Sequence, residues 1–415
     1  MEDLDPATLA EADALTSPAF VDVRLDLGMA RAEFAAQAIA RQTAELWHAI
    51  AEVLDDAERH PEQFLHERAQ LSARDRRDYA VRSAAADLAV RLGVAESTIR
   101  SWGGFGRDLR RDAPRVWTAF CEGRIGVTNA RAVAETLATL PPEARAAFDG
   151  LVVERAEHLA PARFRAVVRA IRERVHDETI AERHRRAAID RRVVIEDDLD
   201  GMSWLSMLLP TASAHRAFAG IDATARGLRG DDESRTLDQL RADVAADLLT
   251  GDRGITAVGV SVAVTVPVLT LLGASDDPGA LDGVGPIDAE TARDLAAHAP
   301  SFTRLLTHPV TGAVLALDRT MYRVPADLQR MLAHRDRTCR FAGCGRRAAR
   351  CDIDHVTEWQ DGGATDATNL LHLCRHHHRL KSVARWRAGP PDPVSATVRW
   401  RSPTGAVVED EPPPF

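Results

Sequence analysis

The stretch "RDRTCRFAGCGRRAARCDIDHVTEWQDGGATDATNLLHLCRHHHRLKS" (335–382) holds four of the chain's five cysteines and five of its fifteen histidines. Two short ligand pairs frame it, Cys339-x4-Cys344 and then Cys374-x2-His377, with twenty-nine residues between them. That spacing suits a tetrahedral Zn2+ joining the two ends of a small module, a closed site that staples a fold instead of catalysing. Buried free thiols would account for one cysteine but not for two paired sets. Cys351 and His376 are candidates to exchange with an assigned ligand, and Cys351 equally suits a small core position on a strand. A disulfide framework explains the pattern poorly, because the cysteine count is odd and Cys121 stands alone in a helical stretch.

Between the two pairs lie Asp354-His355 and Asn369, and His378 follows directly. "CDIDHVTEW" reads as a strand, "QDGGATDATN" as a turn-rich loop, "LLHLC" as a second strand and "RHHHRLKSVARW" as a helix, a ββα order. A unit this small buries too little apolar surface to be stable alone, so a metal staple around it is expected. Carboxylate is a hard oxygen ligand and imidazole a borderline nitrogen ligand. Asp354 and His378 can therefore share one divalent ion while leaving positions open for water and a phosphate oxygen. His355, adjacent but not needed for the ion, is free to act as general base. Strand alternation would send Asp354 and His355 to opposite faces, so this arrangement requires the strand to end or bend at the pair.

"DHVTEWQDGGATDATNLLHLCRHHHRLK" resembles the His-Asn-His (HNH) endonuclease motif, with Asp354-His355 as its first element, Asn369 as the middle Asn and His378 as the last His. The preceding "RDRTCRFAGC" is similar to the zinc knuckle of the zinc-containing branch of that family. The resemblance covers about fifty residues and implies a ββα-metal nuclease that hydrolyses DNA phosphodiester bonds. In that reading His355 deprotonates the attacking water, one Mg2+ or Mn2+ on Asp354 and His378 stabilises the developing charge and the leaving 3' oxygen, and Asn369 has a supporting role. Arg340, Arg346, Arg347, Arg375, Arg379 and Lys381 are the expected phosphate contacts. One departure stands out: where many members carry a further metal histidine four residues after the last motif His, this chain has Ser382.

The elements that must position this cluster lie mostly upstream. From about Asp22 to Thr250 the sequence is rich in Ala, Leu, Arg and Glu, with apolar residues at helical spacing and Pro at helix starts ("TLPPEAR", "HLAPARF"). "RRVVIEDDLDGMSWLSMLLP" breaks that spacing and reads as a hairpin, its aspartates as turn formers. "GVSVAVTVPVLTLLG" and "TGAVLAL" read as strands and "GALDGVGPIDAETARDLAAHA" as a turn into a short helix. "SATVRWRSPTGAVVEDEPPPF" reads as a hairpin around Pro403-Thr404-Gly405 with a disordered acidic, proline-rich end. "TLDQLRADVAADLLTG", "DGMSWLSMLLP", "ALDGVGPIDAETARDLA" and "LLTHPVTGAVLALDRTMY" resemble the domain-of-unknown-function 222 proteins, the 13E12 repeat family, which commonly end in an HNH module. The expected fold is α+β and multidomain. It comprises a tail (1–21), an α-helical domain (22–253), a mixed α/β connector (254–333), a zinc-stapled ββα-metal HNH module (334–387), and a β-hairpin with acidic tail (388–415).

"AAADLAVRLGVAESTIRSW" (84–102) matches a helix-turn-helix in outline, with Gly93 at the turn, Ser97 as N-cap and Ile99 on the second helix, although two helices joined at a glycine occur in any bundle. The net charge of -9 argues against wholesale coating of nucleic acid, but it is unevenly spread. Residues 334–387 carry eleven Arg/Lys against six Asp/Glu, and residues 1–333 carry forty against fifty-two. DNA contact is therefore expected in the C-terminal part. No apolar run is long enough for a membrane span and the N-terminus is acidic, which reads as a cytoplasmic protein. Cutting both strands with one site per chain points to a homodimer. Two competing readings are a catalytically degenerate, zinc-stapled DNA-binding module, favoured by Ser382, and a helix-turn-helix regulator.

Overall fold

The computed structural model of the chain describes residues 18–198, 200–230, 233–250, 264–281, 285–297 and 324–413. A run of helices leads: α1 (Pro18–Arg59), α2 (Ala73–Leu92), α3 (Glu96–Asp112), α4 (Pro114–Cys121), α5 (Val127–Leu137), α6 (Pro142–His158), α7 (Pro161–Val175) and α8 (Ile180–Ala187). Pro stands at the first turn of α4, α6 and α7, where a missing N–H costs nothing. The antiparallel hairpin β1 (Arg192–Asp197) and β2 (Ser203–Leu208) follows, turning through Asp200 and Gly201 at positive φ. The acids of this turn are occupied as turn and partner groups: Asp197 meets Ser203 and Arg347, and Asp198 accepts from the Trp204 indole.

Helices α9 (Thr211–Gly227) and α10 (Leu237–Thr250) pair through Ala225, Leu240 and Val244. Next come β3 (Val264–Thr265), α11 (Val268–Leu271), β4 (Gly279–Leu281), β5 (Gly285–Ile287) and α12 (Ala289–Ala297), the three strands forming one antiparallel sheet in the order β3-β4-β5. The strand expected to run from 259 to 273 does not persist. Its described part stops at Thr265, and Pro267, which cannot donate to a ladder, caps α11 instead. The strand expected at "TGAVLAL" lies outside the described residues.

The C-terminal part contains α13 (Ala326–Asp336), the antiparallel pair β6 (Cys351–His355) and β7 (Leu370–Cys374), α14 (Arg375–Val383), and a three-stranded sheet of β8 (Arg387–Ala388), β9 (Val398–Arg401) and β10 (Val407–Asp410). The ββα order is as the sequence suggests. The acidic end is partly ordered: Val407–Asp410 pairs with Val398–Arg401 across a turn at Gly405.

One apolar core joins the two ends of the chain. Ile50, Leu54, Leu65, Ala84, Ala85 and Ile99 of the helical part pack in the same cluster as Leu371, Leu373, Leu380, Trp386, Val398 and Trp400. Main-chain bonds reinforce the contact: His66 donates to the Val383 carbonyl and Arg385 to that of Phe64. A second core, built on Trp47, Phe120, Phe148 and Phe164, unites α1 with α3 to α7. Helices α1 and α3 approach closely at Gly106, where a Cβ would stand 2.5 Å from the Trp47 carbonyl oxygen.

Asp336, at the end of α13, organises a buried polar core. Its carboxylate accepts from the backbone N–H of His372 (2.9 Å), faces His372 Nδ1 (2.9 Å) and pairs with Arg335 and Arg340. Burial acts to raise its pKa, but the Arg335 charge and the His372 bond prevail and hold it at about 2. Arg340 is fully buried, its guanidinium spent on Asp336, Asp410 and the Ala396 carbonyl. It is therefore unavailable to phosphate, a correction to the sequence expectation.

Two outcomes follow. Gly106→Ala forces backbone apart, and urea unfolding should show a loss of about 1–3 kcal/mol. A carboxyl held below its unfolded pKa of about 3.9 contributes stability that is complete above that value and is lost as pH falls toward 2. Acid unfolding should therefore be steeper between about pH 4 and pH 2 in the wild type than in Asp336→Asn; identical slopes would contradict the assignment.

Candidate active site and metal centre

The sulfurs of Cys339, Cys344 and Cys374 and a ring nitrogen of His377 lie within 4.8 Å of one another, the set expected from the sequence. Local structure explains the convergence. Cys339 follows the turn at Arg337 (φ +55°) that ends α13, and its N–H donates to the Arg346 carbonyl at 2.7 Å. A tight turn through Gly343 (φ +80°) then returns Cys344 toward it. Cys374 closes β7 and sits at the N-cap of α14, so His377 comes round on the first helical turn. His377 Nδ1 lies 3.4 Å from Cys339 Sγ and 3.3 Å from Cys374 Sγ, and its ring stacks on Phe341 at 4.0 Å. Three thiols and an imidazole at these separations fit one tetrahedral ion, the donor chemistry that zinc prefers. Cys351 lies outside the four, with its thiol 3.3 Å from the Arg347 carbonyl.

On the other flank of α14, His378 Nε2 stands 3.4 Å from Asp354 Oδ1, and Asp352 Oδ2 lies 3.1 Å from His378 Nδ1. The two acids share a face of β6 because they are two residues apart. Asp354 is buried. Its Oδ2 forms an ion pair with the buried Lys381 ammonium at 2.9 Å. A buried carboxylate whose Oδ1 faces an imidazole nitrogen is a donor pair that fits a divalent cation.

β6 runs through both residues without a bend, so Asp354 shares one face with Asp352 and His355 the other with Ile353, a correction to the expectation that the strand ends or bends at the pair. His355 Nε2 is 3.0 Å from the Thr365 hydroxyl, and the ring lines a cavity of about 690 Å3 with Ile353, His372, Gln329 and Arg330. Lys381 is buried, donating to the His355 carbonyl at 2.6 Å and pairing with Asp354 and Glu358. It belongs to the interior of the site, which corrects its reading as a surface phosphate contact. Ser382 is exposed and bonds back to the His378 carbonyl.

Asn369 fixes the loop between the strands. Its Oδ1 accepts from Thr357 N–H at 2.9 Å, and its Nδ2 donates to the carbonyls of Thr357 (3.0 Å) and Ala364 (2.9 Å). The loop closes so tightly that a Cβ on Gly363 would stand 1.8 Å from the Thr357 carbonyl oxygen, a physical reason for glycine there. Among the expected phosphate contacts, Arg346 and Arg375 are exposed, Arg347 pairs with Asp197, and Arg379 leans on Tyr79.

The sequence reading missed Asp352, Thr365 and Glu96. The spacing of Asp352 to Asp354 carries the signal for the first. Glu96, in the first turn of α3, has one carboxylate oxygen 2.6 Å from His377 Nε2 and the other 3.0 Å from His376 Nε2. Burial acts to raise its pKa, but these two bonds overcome it and hold Glu96 at about 2. This contact also bears on the helix-turn-helix reading. Gly93 does adopt the left-handed turn, but the N-cap of α3 is Ala95, not Ser97. The first turn of α3, the part that would read bases, is turned onto α14.

Residues 51–336 match the family described as "Domain of unknown function (DUF222)", more than half of the chain. The chain belongs to the DUF222 family. Residues 339–383 of this DUF222 protein match "HNH endonuclease", a family that supports a nuclease or DNA-binding role. Among curated relatives, "Uncharacterized protein Rv3776" of Mycobacterium tuberculosis is 29% identical over 372 residues, covering 79% of this chain and 70% of the relative. "Uncharacterized protein Rv2100" of the same organism is 42% identical over 93 residues, 22% of this chain and 16% of the relative. No solved structure matches. No helix among the described residues is long and apolar enough to cross a membrane.

Asn369→Ala should loosen the 357–369 loop while leaving the helical part intact. The expected result is a loss of about 1–3 kcal/mol, with faster amide exchange confined to that loop; unchanged exchange would contradict its bracing role.

Proposed function

We infer that the protein is an HNH-type endonuclease that hydrolyses DNA phosphodiester bonds, its zinc-stapled C-terminal module carrying the chemistry. The observation that carries this reading is the pairing of the buried Asp354 carboxylate with His378 Nε2 at 3.4 Å, inside residues that match the HNH family. Asp354 and His378 would hold Mg2+ or Mn2+, which would supply Lewis acidity to the scissile phosphate.

The chain's own groups have separate tasks. His355 takes the proton from the attacking water, and the Thr365 hydroxyl fixes its ring, with donor and acceptor roles set by the tautomer. Asp352 orients His378 through Nδ1, so that Nε2 points at Asp354. Asn369 holds the loop that follows His355 in register. Arg346 and Arg375, exposed on the same module, contact backbone phosphates and carry no base readout. With one site per chain, cutting both strands requires two copies.

A second reading is favoured by Lys381. Its ammonium already neutralises Asp354, and Ser382 offers no further metal ligand, as in a DNA-binding module that no longer cuts.

Supercoiled-plasmid cleavage by the zinc-loaded protein separates the two. We expect nicking that depends on added Mg2+ or Mn2+ and falls about 10²–10⁴-fold in His355→Ala. Folded, zinc-loaded protein that binds DNA without cutting it under any divalent ion would establish the second reading, and cleavage that survives His355→Ala would remove His355 as the base.

A further inference from the structure

The cysteine and histidine cluster of the HNH module is completed by a residue that lies outside that module. Glu96 sits 281 positions before His377, on α3 of the DUF222 region, yet its carboxylate meets His377 Nε2 at 2.6 Å while His377 Nδ1 faces the sulfurs of Cys339 and Cys374. The same carboxylate reaches His376 Nε2 at 3.0 Å, so both of its oxygens are committed to adjacent imidazoles. Its side chain is only 16% exposed.

A histidine that binds a metal through one ring nitrogen is commonly oriented by a carboxylate at the other, which fixes the tautomer and strengthens the ligand. We propose that Glu96 is the positioning carboxylate of the zinc site, so that metal binding by the nuclease module and docking of α3 onto α14 are a single linked equilibrium. His377 with its proton on Nε2 donates to Glu96 and presents the Nδ1 lone pair to the ion, the only tautomer that serves both partners. His376 holds the second carboxylate oxygen and keeps Glu96 aimed. The stacked Phe341 ring closes the remaining side of His377. The DUF222 region is thereby part of the metal centre of the module it precedes, and zinc loss loosens the joint between them. This inference rests on the ligand set and not on cleavage activity.

The test uses the full chain loaded with zinc, titrated with a chromophoric chelator, alongside the d–d spectrum of the Co2+-substituted protein. Glu96→Gln and Glu96→Ala should release zinc at about 10–100-fold lower chelator competition, with the spectrum of three thiolates and one imidazole retained. Arg91→Ala is the control. It removes the Arg91 contacts with Asp87 and Thr404, which join α2 to the turn between β9 and β10 away from the α3–α14 contact, without touching His377, and should hold zinc like the wild type. Should Glu96→Ala fail to fold, the isosteric Gln variant carries the test. Wild-type zinc retention in both Glu96 variants would overturn the proposal. So would equal weakening in Arg91→Ala, which would reduce Glu96 to one docking contact among several, and so would a wild-type protein that binds no stoichiometric zinc.

Discussion

The C-terminal module depends on the convergence of Cys339, Cys344, Cys374 and His377 on one point. These residues come from the turn after α13, from the end of β7 and from the first turn of α14, so one ion held among them joins that turn, the strand and the helix at once. Without it, a two-stranded sheet and a nine-residue helix have little apolar surface of their own to bury. His378 follows His377 directly on α14, so the staple also sets how His378 meets Asp354. On our account, the metal that holds the fold thereby determines the geometry of the site that does the chemistry.

What the staple does not supply, the rest of the chain does. Leu371, Leu373, Leu380 and Trp400 share a core with α1, α2 and α3. Asp336 gathers Arg335, Arg340 and His372 beneath β7, and Arg340 reaches on to Asp410 in the last strand. A buried network of this kind adds little net stability over apolar packing, but it is costly to satisfy in any other arrangement and so favours one register of the C-terminal strands. The Trp400 indole, donating to the Arg340 carbonyl at 2.7 Å, ties the same sheet to the cysteine turn.

The sequence was most informative where chemistry and spacing coincide. The two ligand pairs, the ββα order and the Asp354–His378 pairing could be read directly, because metal ligands are few in kind and local periodicity sets the element type. It was least informative where a partner arrives from far along the chain. Arg340 looks like a surface cation until Asp410, seventy positions away, neutralises it in the interior. Lys381 looks the same until α14 packs it against Asp354 and Glu358. Glu96 reads as an ordinary acid at a helix start, and nothing local announces the two histidines it meets. Ser97 and Pro267 show a smaller limit: the cap of α3 falls at Ala95, two positions before Ser97, and the strand yields to a helix at Pro267, because residue type alone does not fix the backbone angles at an element's end.

The most direct test of this account is amide hydrogen exchange of the full-length protein before and after zinc is stripped by a chelator. The account predicts that β7, α14 and the first turn of α3 lose protection together, while α5 to α7, which lie in the separate core around Phe148 and Phe164, keep theirs. Protection that survives in β7 and α14 after the metal has gone, or that is lost there without any change in α3, would contradict it.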